Sequence, residues 1–356
     1  MSDRAVLVDG VVQHLGSPFA EQRDLATGEA IAVLDDRAVI TVSGEDRLSW
    51  LDSISSQALG GLAAGASTET LILDPQGHVE HAAAVVDDGV TTWLIADRDD
   101  AAALAAWLTR MRFRLRVDPR AAADCAVVGG GNAAVTAAAN RWGIEMPVWR
   151  DPWPEVGSGS VGYAPAEVHP GVDRDWSEII VPRHLRDELV HGAVGEFHAA
   201  GAAAADALRV AAWRPRWAAE VDERTLPHEV DWLRTAVHLA KGCYRGQETV
   251  AKVHNLGHPP RRLVALHLDG SDERLPRRGD AVRSGDAVVG RVTSAARHYE
   301  QGPIGLALVK RTAPVDGDLV VDTDDGPVAA SAAVIVPPDA GAVAAVPRMR
   351  RLPAHG

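Results

Sequence analysis

Glu69 to Asp97 reads ETLILDPQGHVEHAAAVVDDGVTTWLIAD, and this stretch decides the fold class. Three runs rich in apolar and β-branched residues are parted by Asp74-Pro75-Gln76-Gly77 and by Asp87-Asp88-Gly89, both of which favour tight reversals. Such reversals belong to an antiparallel sheet. Upstream, RAVITVSGEDRLSWLDSISSQALGGL (37–62) reads as a short strand, a Ser43-Gly44 turn and a helix with Leu48, Leu51, Ile54 and Leu59 on one stripe, stopped by Gly60-Gly61. Downstream, Ala101 to Arg112 places Leu104, Trp107, Leu108 and Met111 at helical spacing, and RLRVDPR (114–120) returns as a strand. The sum is α+β, a sheet covered by helices on one face, and not a doubly wound nucleotide fold. GGGN at 129–132 lacks the G-x-G-x-x-G pattern and reads as a mobile loop.

Residues 146–172 are rich in Pro, Gly and Trp, which prevents long helices and marks a connection, with a domain boundary near residue 140. Beyond it, WSEIIVPR (176–183) is strand-like, HLRDELVHGA (184–193) helix-like, and HAAGAAAADALRVAAW (198–213) an Ala-rich helix broken before Arg214-Pro215. After Pro259-Pro260 the texture changes to short β-rich runs separated by Gly-Asp and Asp-Asp-Gly turns. A small β-barrel is the simplest closure, because it removes exposed sheet edges. The tail from 337 to 356 is low in complexity and is expected to fray.

At 356 residues the chain fits two or three domains. Hydrophobic residues make up 46% and charged residues 24%, enough apolar surface for packed cores. A formal charge of −13 works against a broad grip on nucleic acid or anionic lipid. Arg261, Arg262, Arg277 and Arg278 are close enough in sequence to form a local basic patch, but solvated surface charge is the simpler reading. The N-terminus lacks the basic start and apolar run of a secretion signal, and no stretch offers the 18 or so apolar residues of a membrane helix. With only Cys125 and Cys243, a disulfide scaffold, an all-cysteine zinc site and a self-contained iron–sulfur cluster are excluded. A reduced, bacterial-type cytoplasm is the expected compartment, and no resident metal is expected.

KGCYRGQETVAK (241–252) holds one of the two thiols between basic residues and glycines. Gln247 to Asn255 is composed of helix formers, with Glu248 and Lys252 four apart and Gly257 placed as a stop. A helix starting near Gly246 puts Cys243 just before its N-terminus. Unpaired N–H groups there, with Lys241 and Arg245, favour a thiolate, so a depressed thiol pKa is expected. Free cysteines are also commonly buried apolar filler. Cys125, in AAADCAVVGG (121–130), fits that description, and residue types alone leave Cys243 open between the two.

The whole segment fits the signature K-G-C-[YF]-x-G-Q-E-x-x-x-[KR] of the YgfZ family, folate-binding proteins similar to the aminomethyltransferase (T-protein) of the glycine cleavage system. ERTLPHEV (223–230) resembles the family's E-x-T-x-P-x-E stretch, and GRVTSAARH with GPIGLALVKR (290–311) resembles the superfamily's C-terminal barrel. The resemblance implies three domains around a central folate opening: residues 1–50 with 140–257 as a T-protein-like folate-binding domain, 51–139 as an α+β ferredoxin-like domain, and 258–356 as the barrel. It implies tetrahydrofolate or a derivative as ligand, and a role in keeping iron–sulfur enzymes functional, with client or assembly proteins as partners. Cys243 is then the signature thiol, with Lys241 beside it in the reactive set and Tyr244, Gly246, Gln247 and Glu248 flanking the folate. DRDWSEIIVP (173–182) is similar to the strand whose Glu contacts the pterin, which gives that role to Glu178, with Trp176 or Trp213 as an aromatic wall. ALRVAAWRP (207–215) resembles L-R-[LI]-E-A-G and makes Arg209 a folate contact, although Ala211 stands where Glu is expected and Trp213 where Gly is.

One departure bears on chemistry. In the aminomethyltransferases a catalytic Asp follows the glycine turn of the hairpin in a G-G-x-x-D-D setting; here the turn reads GHVEHAAAVV (77–86), with His81 and Ala82 at those positions. His81 is of a type that can act as a base near neutral pH, though an exposed strand histidine is the plainer reading. Three functions stay in competition: a folate-binding accessory protein with a reactive thiol, a folate-dependent one-carbon transferase or demethylase, and a non-catalytic scaffold that senses folate.

Overall fold

The two reversals at 74–77 and 87–89 are the hairpins of a five-stranded sheet. In a computed structural model that describes residues 5–165, 167, 169–192, 197–314 and 317–344, β5 (Ser67–Leu73), β6 (Val79–Asp87) and β7 (Thr91–Asp97) pair antiparallel, with Leu71 opposite Ala82 and Val85 opposite Leu94. Gly77 and Gly89 take the left-handed φ, +84° and +93°, that these tight turns need. β4 (Arg37–Ser43) pairs with β7 and with β8 (Asp118–Ala121), so the sheet order is β5-β6-β7-β4-β8. One face packs on α2 (Arg47–Ile54) and α3 (Arg98–Met111), burying Trp50, Leu51, Leu104, Trp107 and Leu108. Leu59 joins this core from beyond the helix rather than from the expected helical stripe.

A second five-stranded sheet has the order β10 (Val148–Arg150), β11 (Ser177–Pro182), β9 (Cys125–Gly130), β3 (Ala30–Val33), β12 (His198–Ala200), antiparallel except for β12 on β3. Its near-continuous apolar strands are covered on both faces. α4 (Asn132–Trp142) and α5 (Arg183–Val190) pack on one side through Val135, Ala138, Leu185 and Leu189. On the other, α1 (Pro18–Thr27) and α6 (Ala202–Ala211) close over Val127 and Ile180, where Val86 and Ile95 of the first sheet also pack. A hairpin of β1 (Val6–Val8) and β2 (Val11–His14) precedes α1.

Strand pairing sets two borders differently from the sequence reading. β4 lies in the first sheet although it precedes residue 51, because it fills the gap between β7 and β8. β9 and α4 lie with the second sheet although they precede residue 139, because β9 pairs with β11 and β3. Nor is GGGN a loop: Gly129 and Gly130 end β9 and Asn132 begins α4. A Cβ at Gly129 would stand 2.9 Å from the Trp176 ring, so glycine is there for close packing rather than mobility.

Past Pro260 the chain closes a six-stranded antiparallel barrel in the order β13 (Arg261–Leu268), β16 (Gly302–Lys310), β15 (Ala287–His298), β14 (Ala281–Ser284), β17 (Leu319–Thr323), β18 (Gly326–Val334). Val264, Leu266, Val282, Val292, Ala307, Val309 and Val321 fill it. The four arginines near its start form no shared patch. Arg261 pairs with Asp222 and Glu229, Arg262 is buried against the carbonyls of Arg311 and Ala313, Arg277 meets Asp324, and Arg278 donates to the carbonyls of Ala219 and Val221. Between sheet and barrel lie α7 (Trp217–Glu220) and α8 (Gln247–Leu256). The described part of the tail does not fray: His258 Nδ1 donates to the Ala340 carbonyl, and the Val343 and Ala344 amides donate to the carbonyls of His254 and Asn255 at the end of α8. The rest of the tail, 345–356, lies outside the described residues. Among those described, no helix is long and apolar enough to cross a membrane.

Candidate functional site

The thiol loop is built by glycine and by one ammonium group. Gly246 caps α8 at φ +81°, and a Cβ there would stand 2.6 Å from the Asp74 carbonyl oxygen. A Cβ at Gly77 would likewise meet Thr249 at 2.9 Å. The start of α8 is thus pressed against the β5–β6 turn, which only paired glycines permit. Lys241 reaches back to the end of α2: its Nζ donates to the carbonyls of Asp52, Ser55 and Gln57 at 2.5, 2.9 and 2.7 Å, with the Asp52 carboxylate 3.4 Å away. It terminates α2, and burial lowers its pKa with Asp52 partly offsetting that. Arg245 gives its guanidinium to Glu80 at 2.6 Å.

Both cations expected beside Cys243, Lys241 and Arg245, thus also hold other partners. Cys243 itself is exposed and unbridged, three residues before the cap. Tyr244 is buried with its hydroxyl lacking a hydrogen-bond partner among the described residues, Gln247 Nε2 donates to the Lys241 carbonyl at 3.3 Å, and Glu248 is exposed on the first turn of α8. Cys125 is half-buried, and burial pushes its thiol pKa up.

Glu178 lies elsewhere, second in β11 between Trp149 and Gly129 on the neighbouring strands. It is 5% exposed, takes a hydrogen bond from Trp176 Nε1 at 3.3 Å, and has Arg37 Nε at 3.8 Å. Burial raises its pKa, with Arg37 and Trp176 only partly opposing. It borders a cavity of about 80 Å³ with Arg37, Ala82, Arg214, Arg216 and Trp217. Trp149 and Trp217 form the aromatic walls. Trp176 instead lies under the Arg174 guanidinium and Trp213 edge-on to His169.

Charged side chains fill the opening. Arg216 pairs with Asp36 and Asp97, both at 2.5 Å, and Arg37 also bonds Asp97. Arg214 holds Glu69 at 2.8 Å and Asp151 at 3.2 Å. Burial penalises the Asp97 carboxylate, but Arg216 and Arg37 outweigh it and keep its pKa low. Arg209, an expected ligand contact, spends all three nitrogens within the protein: on Asp206, on Glu220 and the Arg214 carbonyl, and on Ser294. The sequence reading missed Arg37, Asp36, Asp97 and Arg216; the only local signal was the pair of arginines flanking Pro215.

The space directly against Glu178 is small, about 80 Å³, because paired charges crowd it. Position 82 is informative too. Alternation along β6 turns Ala82 toward this cavity and His81 to the opposite face, against α3. There His81 is buried, not exposed as its strand position suggested, with Nδ1 2.6 Å from Asp100 and its ring near Trp107. Among the described residues, no group of three or more His, Cys, Asp or Glu could hold a metal ion.

Comparison with known proteins follows the same lines. Residues 261–338 match the glycine cleavage T-protein C-terminal barrel domain. An aminomethyltransferase of Streptomyces avermitilis is 32% identical over 127 residues, 35% of this chain and 34% of that protein. The mitochondrial iron-sulfur cluster assembly factor IBA57 of Mus musculus is 36% identical over 102 residues, 28% of this chain and 27% of that protein. The chain thus matches about a third or less of the length of these curated relatives. In three dimensions it superimposes on glycine cleavage system aminomethyltransferase T from Bartonella henselae with a TM-score of 0.72 at 18% identity, covering 93% of this chain and 92% of that one. The chain has the fold of the glycine cleavage aminomethyltransferase, closed by that protein's type of C-terminal β-barrel.

Proposed function

We propose that this chain is a reduced-folate-binding accessory protein of the YgfZ type, which supports assembly or repair of iron–sulfur enzymes through Cys243, rather than an aminomethyltransferase. The carrying observation is on β6: a methyl group, Ala82, faces the opening where the transferases place a carboxylate, and His81 is turned away onto Asp100. A one-carbon transfer needs a base beside the folate nitrogen; at this strand position there is a methyl group, and the carboxylates that line the cavity, Glu69, Asp97 and Glu178, each face an arginine. The signature thiol, in contrast, stands at the surface on a rigidly held loop, accessible to a protein partner. Similarity to the IBA57 assembly factor supports the same reading. A single thiol cannot hold a cluster, so any metal or sulfur it accepts would be shared with ligands of the client.

The test combines two measurements. Purified protein is titrated with tetrahydrofolate, and cells lacking the gene are complemented with the wild type or Cys243→Ala while client iron–sulfur enzyme activity is followed. The expected result is folate binding by both proteins and failed complementation by the variant. Full complementation by Cys243→Ala removes the thiol from the function. Steady formation of methylenetetrahydrofolate from a small amine donor would establish the transferase instead.

A further inference from the structure

The three arginines that border the opening at Glu178 are not spent alike. Arg216 puts Nε on Asp97 at 2.6 Å and Nη1 on Asp36 at 2.5 Å, and Arg37 shares Asp97. Arg214 holds Glu69 through Nη2 at 2.8 Å and Asp151 through Nε at 3.2 Å, but its Nη1 is buried with no hydrogen-bond partner, the one such side-chain atom among the described residues of this lining. The side chain is 7% exposed and its guanidinium lies over the Trp153 ring, 5.0 Å from the centroid, so two carboxylates and an indole fix it in place. A buried N–H without an acceptor is costly, and a ligand that brings an acceptor removes the cost. We propose that Arg214 is a specificity-determining residue of this opening: Nη1 donates to a ring carbonyl of the ligand while Glu178 accepts the neighbouring N–H groups, so that the site takes a 2-amino-4-oxo ring edge and rejects a 2,4-diamino one. The inference rests on the folate reading and specifies which edge of that ligand the chain reads.

The rest of the lining fits this division of labour. Glu178 takes the Trp176 Nε1 hydrogen bond on Oε1, which also faces Arg37 at 3.8 Å, and its Oε2 takes no hydrogen bond from the described residues. That oxygen is the acceptor left for a ligand N–H. Trp149 and Trp217 give their Nε1 groups to the carbonyls of Thr68 and Glu80 at 2.6 and 3.0 Å, so toward the cavity they offer ring faces and no competing donors. The remaining carboxylates, Glu69 and Asp97, are held by Arg214 and by Arg216 with Arg37. At about 80 Å³ the space against these groups admits the edge of one ring, and the edge is therefore what it discriminates. A guanidinium donates to a carbonyl in a charge-assisted bond. An exocyclic amine in place of that carbonyl would set N–H against N–H and leave both unpaired, the kind of mismatch on which polar sites discriminate strongly.

The test is equilibrium binding of tetrahydrofolate and of its 4-amino-4-deoxy analogue to the full chain, wild type and Arg214→Lys, with isotope-edited infrared spectroscopy of the C4 carbonyl in the wild-type complex. Lysine keeps a cation between Glu69 and Asp151 but lacks the guanidinium's third nitrogen, and thermal unfolding checks that the variant is folded. The expected result is tetrahydrofolate bound about tenfold or more tightly than the 4-amino analogue by the wild type, a gap of about threefold or less in Arg214→Lys, and a carbonyl stretch moved to lower frequency on binding. The two wild-type measurements decide the matter where Arg214→Lys does not fold. Equal binding of the two compounds by the wild type, a carbonyl stretch unmoved by binding, or a gap unchanged in folded Arg214→Lys would each overturn the role of Arg214 while leaving the folate function standing. No binding of either compound would overturn both.

Discussion

Asp231 is a buried carboxyl in the left-handed region, φ +58°, that takes hydrogen bonds from the Tyr163 and Ala164 amides at 2.5 and 3.4 Å. Burial pushes its pKa up to about 7, with those amides and Arg234 opposing. A carboxyl whose native pKa stands above its unfolded value stabilises the fold most below the unfolded value, and loses that contribution as pH rises through about 7. Stability should therefore fall by about 2–3 kcal/mol between pH 5 and pH 8 from this group alone. Asp231→Asn keeps an acceptor and tolerates the backbone, so urea unfolding of that variant should lose most of this slope. Lys241 gives a second expectation. Lys241→Met leaves three carbonyls without a donor and should cost about 2–3 kcal/mol, with faster alkylation of Cys243 as the loop loosens. Neither role was legible from residue type: Lys241 reads as a neighbour of the thiol, whereas its ammonium group sits at the end of α2, 184 or more residues earlier in the chain. The glycines of the motif were legible, because a positive φ demands glycine whatever the partner.

The α8 element separates two glycines that look alike in sequence. At Gly246, φ is +81° and a Cβ would strike the Asp74 carbonyl; at Gly242 a Cβ would meet nothing within 4 Å. Gly246→Ala should cost about 2 kcal/mol or more and Gly242→Ala stay within about 0.5 kcal/mol of wild type, as measured by denaturant midpoints at constant slope. Elements with a strong local period were readable: α3, α6 and α8 lie within three residues of the expected spans at most ends, and the barrel closes as its turn spacing implied. What failed was assignment by composition alone. GGGN has a loop's composition, but Gly129 is conditioned by an indole some 47 positions away, and α1 and the β1–β2 hairpin carried too little pattern to be placed.

At the scale of the molecule, the three parts are joined by buried charge. Arg214 crosses from the end of α6 to Glu69 on β5, 145 residues away in sequence, and to Asp151. Removing one member of such a group leaves the others buried and uncompensated, so Arg214→Met should cost about 3–5 kcal/mol; calorimetry should show the loss as a lower Tm or as a split transition. The resemblance carried by KGCYRGQE implied three domains and an opening, and the fold agrees, but long-range pairing decided that the opening at Glu178 is filled, and no local pattern encodes that. The seam at 340–344 has a consequence of its own. By lying across the last turn of α8, it makes the barrel a splint for the helix that begins beside Cys243. Loosening those bonds should therefore fray the last turn of α8, a loss of protection that hydrogen exchange of its amides would show.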